Sequence, residues 1–167
     1  MGNFSEDYLR TYWPEEPHTP AMWEDNIALM RAYFASASTL LTYFSRPLKM
    51  LDISTGPTLA PLLGMLRCVD EVQLSDYLEE NRRFLQTLPV EYWRNYVQLL
   101  ATGTDDPLPL PAEMLRRLAE LRSANPPIEV DLFRPDPFPG GFDTSRFDLV
   151  TMHFVADSIT SSVEQYF

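Results

Sequence analysis

Cysteine is nearly absent from this chain. Cys68 is the only one in 167 residues, so no intrachain disulfide can form. Histidine is almost as scarce, with two residues, and a Cys/His zinc site cannot be assembled from so few ligands. Long apolar runs are missing too, and none approaches the roughly 20 residues that span a bilayer. The opening Met1-Gly2-Asn3-Phe4-Ser5-Glu6-Asp7 is polar and acidic and lacks the pattern of a signal peptide, so a cytoplasmic protein is the expectation. Positive charge is in deficit: 13 Lys and Arg stand against 24 Asp and Glu, for a net charge of -11. A field of that sign repels phosphate backbones, which argues against nucleic acid and anionic membranes as partners. The two basic pairs, Arg82-Arg83 and Arg116-Arg117, sit in helical patterns and read as solvated faces.

What is present is an ordinary globular composition. Hydrophobic residues make up 45% and aromatics 13%, which argues against disorder. The length fits one domain able to bury about 70% of its unfolded surface. Thr19-Pro20 reads as a helix cap followed by proline at the first helical position. The apolar residues Trp23, Ile27, Met30, Phe34, Leu41 and Phe44 then recur at helical spacing, up to a stop at Ser45-Arg46-Pro47.

Beyond Pro47 the period changes. Leu48 to Ile53 reads as a strand running into the turn Ser54-Thr55-Gly56-Pro57-Thr58. A helix over Leu59–Leu66 and a second strand over Glu71–Ser75 complete a βαβ unit. A helix from Glu79 follows. A helical insertion spans about 86–125, its two patterns separated by a loop at Thr102–Pro107. The reading predicts a third strand over Ile128–Phe133, a fourth over Phe147–Phe154 and a helix from Ser158. The fold class is therefore α/β, an open parallel Rossmann-like sheet of four strands with N-terminal helices. Residues 1–46 form an N-terminal covering segment and residues 47–167 the core. The apolar fourth strand suits a central position in a sheet, and the expectation is that part of the sheet lies outside this chain.

Open α/β sheets bind ligands beyond the carboxyl ends of their strands. Those ends are Ser54-Thr55-Gly56, Asp76-Tyr77, Asp131-Leu132 and His153-Phe154. Gly56 lets a ligand approach the backbone closely, and the following helix points N–H groups at it. The turn is not GxGxxG, so the dinucleotide fingerprint is absent. Asp76, twenty residues on, can accept both hydroxyls of a ribose, in either a nicotinamide dinucleotide or an adenosyl ligand. Asn81 can add a hydrogen bond. At Asp131-Leu132 a carboxylate can accept from an exocyclic amine while an apolar neighbour flanks an adenine. His153 stands at a strand end, whereas His18 reads as a loop residue, Cys68 as a buried hydrophobe, and Trp23 and Trp93 as core or lid residues.

These segments together resemble the class I S-adenosyl-L-methionine-dependent methyltransferases. They are most similar to the family that methylates nicotinamide, phenylethanolamine and indolethylamine. The matching segments are Asp7-Tyr8-Leu9-Arg10-Thr11-Tyr12-Trp13, Leu51 to Thr58, Ser75-Asp76-Tyr77 with Asn81, Glu129 to Leu132, and Phe147 to Asp157. The resemblance implies S-adenosyl-L-methionine as cofactor, S-adenosyl-L-homocysteine as product and a small-molecule methyl acceptor, an amine above all. It implies that Tyr8 and Trp13 cover the cofactor, and that Ser54, Thr55, Gly56 and Thr58 line its methionine end. Asp76, Tyr77 and Asn81 hold the ribose, and Asp131 and Leu132 the adenine. His153 and Phe154 lie by the sulfonium, with His153 and Asp157 as the catalytic pair. Two departures stand out. Ser54 occupies the place of the family's first turn glycine. The family's sheet has seven strands, so a missing C-terminal segment or a second chain would complete it. The competing readings are a non-catalytic or partner-completed cofactor-binding subunit and a nucleotide-dependent oxidoreductase.

Overall fold

The computed structural model describes residues 4–16, 20–102 and 110–152. Helix α1 is Phe4–Tyr12 and helix α2 is Pro20–Phe44. Proline suits the first position of α2 because its fixed φ is already helical and its missing N–H would be unpaired there anyway. The cap expected at Thr19 lies outside the described residues. Ile27, Met30, Phe34 and Ala37 are buried along one stripe of α2. The helix ends where expected. The N–H of Ser45 closes on the Leu41 carbonyl at 3.0 Å, Ser45 itself turns left-handed with φ 56°, and Pro47 prevents continuation.

Strand β1 (Leu48–Ile53) leads to helix α3 (Ala60–Met65), strand β2 (Val69–Asp76) and helix α4 (Glu79–Thr87). A short 3-10 turn at Val90–Trp93 precedes helix α5 (Arg94–Thr102), and helix α6 is Pro111–Ala124. Strands β3 (Ile128–Glu129) and β4 (Leu149–Met152) complete one parallel sheet in the order β3-β2-β1-β4. The expected α/β architecture is therefore present. α3 packs closely on α2 at Gly64, where an added Cβ would lie 2.3 Å from the Tyr33 Cβ. Only glycine permits that approach.

Two strand expectations need correction. The third strand was expected over Ile128–Phe133, but pairing ends at Glu129. Asp131 folds back instead: its N–H donates to the Pro137 carbonyl, its carboxylate accepts the Phe133 N–H at 3.1 Å, and its carbonyl accepts the Arg134 N–H. This self-bonded Asp turn replaces the strand ladder. The fourth strand begins at Leu149 because Asp143 caps a 3-10 turn at Thr144–Arg146 immediately before it. It pairs with β1 alone among the described residues, so it lies at an edge, with Val150 51% and Met152 55% exposed. The Thr102–Pro107 loop from Gly103 onward and the helix from Ser158 lie outside the described residues.

The helical insertion and α2 together hold the N-terminal segment. Four consecutive backbone carbonyls accept side-chain donors: Tyr12 from Asn26 Nδ2, Trp13 from the Tyr92 hydroxyl, Pro14 from the Tyr96 hydroxyl and Glu15 from Asn95 Nδ2. Trp13, Trp93 and Tyr96 pack ring against ring at centroid distances of 5.5–5.9 Å. Burial pushes the Tyr96 phenol well above its ordinary range, so it stays a donor.

Candidate active site

The sheet order reverses between β1 and β4, because β2 and β3 lie on one side of β1 and β4 on the other. Ligands of open α/β sheets bind at that switch point, beyond the strand ends. Here the β1 exit is tied to the β2 exit. The Thr55 N–H donates to the Ser75 carbonyl at 2.8 Å, and the Ser75 hydroxyl donates to the Asp52 carbonyl at 2.9 Å. Thr55 Oγ1 also accepts the Ser75 N–H. The turn is held by two left-handed residues, Ser54 with φ 55° and Gly56 with φ 65°. Glycine adopts that conformation freely, whereas serine does so at a cost of about 1 kcal/mol.

Asp76 is the hub of the site and is 5% exposed. One carboxylate oxygen accepts the Gly56 N–H at 2.7 Å. The other accepts the Leu78 N–H at 2.8 Å and Asn81 Nδ2 at 3.1 Å. A carboxylate offers about four lone-pair sites, so about one remains and Gly56 can yield another. Asn81 is also buried, and its Oδ1 accepts from the Ser5 hydroxyl of α1 at 2.9 Å. Arg82 braces the β2 exit by donating to the Asp76 and Tyr77 carbonyls. Tyr77 itself is exposed.

The other expected residues fall around this hub to different degrees. Thr55 and Thr58 are buried, and Thr58 Oγ1 accepts the Ala60 N–H at the start of α3. Asp131 and Leu132 are half-buried and come beside Asp76 because the Val130 N–H reaches the Asp76 carbonyl at 3.3 Å. Tyr8 lies one helical turn from Ser5 on α1, half-buried, with its ring 4.8 Å from that of Tyr12. Burial, then the neighbouring Tyr12, raises its phenol pKa. Trp13 is 3% exposed and sits in the aromatic core with Trp93 and Tyr96. His18, His153, Phe154 and Asp157 lie outside the described residues.

Sequence reasoning passed over Asp52. It is buried next to the last residue of β1, facing its register partner Thr151 on β4. Thr151 Oγ1 donates to Asp52 Oδ1 at 2.6 Å, while Oδ2 has no partner among the described residues. Burial raises its pKa to about 6, against the pull of the hydrogen bonds from Thr151 and Thr55, and the charge of Asp76 adds to the rise. A carboxylate in the middle of Leu51-Asp52-Ile53 was the available signal. Ser5 carried none.

Among the described residues no group of three or more His, Cys, Asp or Glu is placed to hold a metal ion, and no helix is long and apolar enough to cross a membrane. An open parallel sheet that reverses at β1, with a buried carboxylate leaving β2, defines a Rossmann-like protein with its ligand site at the strand ends. More specifically, the chain matches the NNMT/PNMT/TEMT family over residues 3–167 and belongs to it. That family consists of class I S-adenosyl-L-methionine-dependent methyltransferases. No curated protein matches the chain.

Proposed function

We propose that this methyltransferase acts on a small-molecule amine, with its adenosyl cofactor held at Asp76. The carrying observation is the buried Asp76–Asn81 pair at the switch point, beside the two left-handed residues of the β1 exit. The residues fit the group: Asp76 retains an acceptor site and Asn81 a second N–H, the complement that ribose hydroxyls need. In this reading Asp76, Asn81 and Tyr77 hold the ribose, and Asp131 and Leu132 flank the adenine. Ser54, Thr55, Gly56 and Thr58 line the amino-acid end, with Tyr8 and Trp13 on the covering segment.

When bound, S-adenosyl-L-methionine supplies a methyl group already activated by its positive sulfur. The acceptor would supply the lone pair for the new bond to carbon, and the sulfur would keep the carbon–sulfur electron pair as a neutral thioether. The protein's task is then to align the reactants, a contribution of roughly 7–11 kcal/mol in well-oriented systems. In the same reading α1 excludes water from above. Asp157 orients the acceptor amine, His153 accepts its proton, and Phe154 packs by the reacting centre. The setting is cytoplasmic.

The edge position of β4, with Val150 and Met152 exposed, supports a second part of the proposal. A further strand, from a longer chain or from a second chain, lies against β4 and completes the acceptor side. The test is calorimetric titration with S-adenosylhomocysteine. The parent should bind, and Asp76→Ala should weaken binding about a hundredfold, because two hydrogen bonds to a charged group are lost. Equal binding by parent and variant would refute the assignment of Asp76.

A further inference from the structure

The hydrogen-bond chain that reaches Asp76 starts outside the sheet. Ser5 lies on α1 and is completely buried. Its hydroxyl donates to Asn81 Oδ1, Asn81 Nδ2 donates to Asp76 Oδ1, and Asp76 Oδ2 accepts the N–H of Gly56. Three segments far apart in sequence are thus joined, through the side chains of Ser5, Asn81 and Asp76, all at most 5% exposed.

A carboxamide is nearly symmetric in shape but not in chemistry, since a half-turn exchanges donor for acceptor. Asn81 has one orientation in which both ends are satisfied. Its nitrogen must face the Asp76 carboxylate, which only accepts, and that leaves its oxygen to be held by the Ser5 hydroxyl. In that orientation the second N–H of Asn81 has no partner among the described residues, although the side chain is 4% exposed. A buried, oriented and unspent donor beside a carboxylate with a spare acceptor site matches a group that both accepts and donates, which is what a vicinal diol does.

We propose that Ser5 is a positioning residue: from α1 it locks the Asn81 carboxamide so that its free N–H is presented to the ribose diol of the ligand held at Asp76. The proposal rests on the adenosyl reading given above. It makes α1 a part of ligand recognition through a residue that need not touch the ligand. Ligand occupancy and α1 docking then reinforce each other, as coupling between two sites is reciprocal.

A thermodynamic cycle tests this. S-adenosylhomocysteine is titrated by calorimetry into the parent, Ser5→Ala, Asn81→Ala and the double variant. Ser5→Ala should weaken binding by about five- to tenfold, the worth of one oriented hydrogen bond. Ser5→Thr, which keeps the hydroxyl, should restore most of the affinity. In the Asn81→Ala background the Ser5 change should cost nothing further. An equal cost in both backgrounds, or parent-like binding by Ser5→Ala, would overturn the relay while leaving the adenosyl reading intact. A parent that binds no S-adenosylhomocysteine would overturn the adenosyl reading and the relay with it. Hydrogen exchange of the parent gives a readout that needs no variant: α1 amides should gain protection on ligand binding, and unchanged protection would also overturn the proposal.

Discussion

Asp52→Asn should make this protein more stable at neutral pH and remove one component of its pH dependence. Asp52 is completely buried, with one oxygen on Thr151 and the other without a partner among the described residues. Its pKa rises from 3.8 to about 6 in the folded chain. The native state therefore holds this proton more tightly than the unfolded state between those values. Stability from this group is fully present below 3.8 and is lost as pH rises through about 6. At about 1.36 kcal/mol per pH unit, the loss amounts to about 3 kcal/mol. Asparagine keeps the oxygen that Thr151 needs but cannot ionise. It leaves an unpaired amide behind, at a cost that does not change with pH. The informative quantity is thus the difference in unfolding free energy between variant and parent, followed by urea titration from pH 4 to pH 8. Since pH 4 already lies just above the unfolded value, that difference should move by about 2.4 kcal/mol in favour of the variant over this range. The comparison also cancels Asp148, which acts in the opposite sense. Its bidentate pair with Arg46 and the Lys49 N–H hold it down at about 2, so its contribution is lost on acidification. A difference that stays flat across this range, or that favours the parent as pH rises, would refute the reasoning.

Two further substitutions probe the backbone. Gly64→Ala places a carbon 2.3 Å from the Tyr33 Cβ and should cost about 3 kcal/mol or more in urea unfolding, since two helices must separate to admit it. Ser54→Gly should stabilise the chain by about 0.5–1 kcal/mol by relieving the left-handed serine, and the thermal midpoint should rise accordingly.

The features legible in the sequence were those set by local chemistry. Proline fixed both limits of α2, at Pro20 and before Pro47, and the apolar run Leu48–Ile53 coincides with β1 residue for residue. Asp76 and Asn81 could be picked out because a strand end followed by one helical turn sets their spacing. What escaped depended on distant partners. β3 looked long because Val130 and Leu132 are apolar, but Asp131 found closer partners in its own turn. The position of β4 follows from pairing that its own residues do not encode. Ser5 and Asn81 are 76 residues apart, and no local pattern relates them. The exceptional state of Asp52 likewise comes from what surrounds it, on β4 and in the Thr55 turn.

The four carbonyls gripped from Tyr12 to Glu15 make the N-terminal helix a cantilever. Its root is clamped by side chains of α2 and of the segment 92–96. Further along α1, Leu9 is buried in the core and the Ser5 hydroxyl bonds Asn81 on α4. Ser5 thus stands two hydrogen bonds away from the Asp76 carboxylate. Releasing α1 from the fold would therefore break the Ser5 hydrogen bond and expose Leu9 together. The position of Ser5 over Asn81 is thus set from the aromatic cluster through the length of α1.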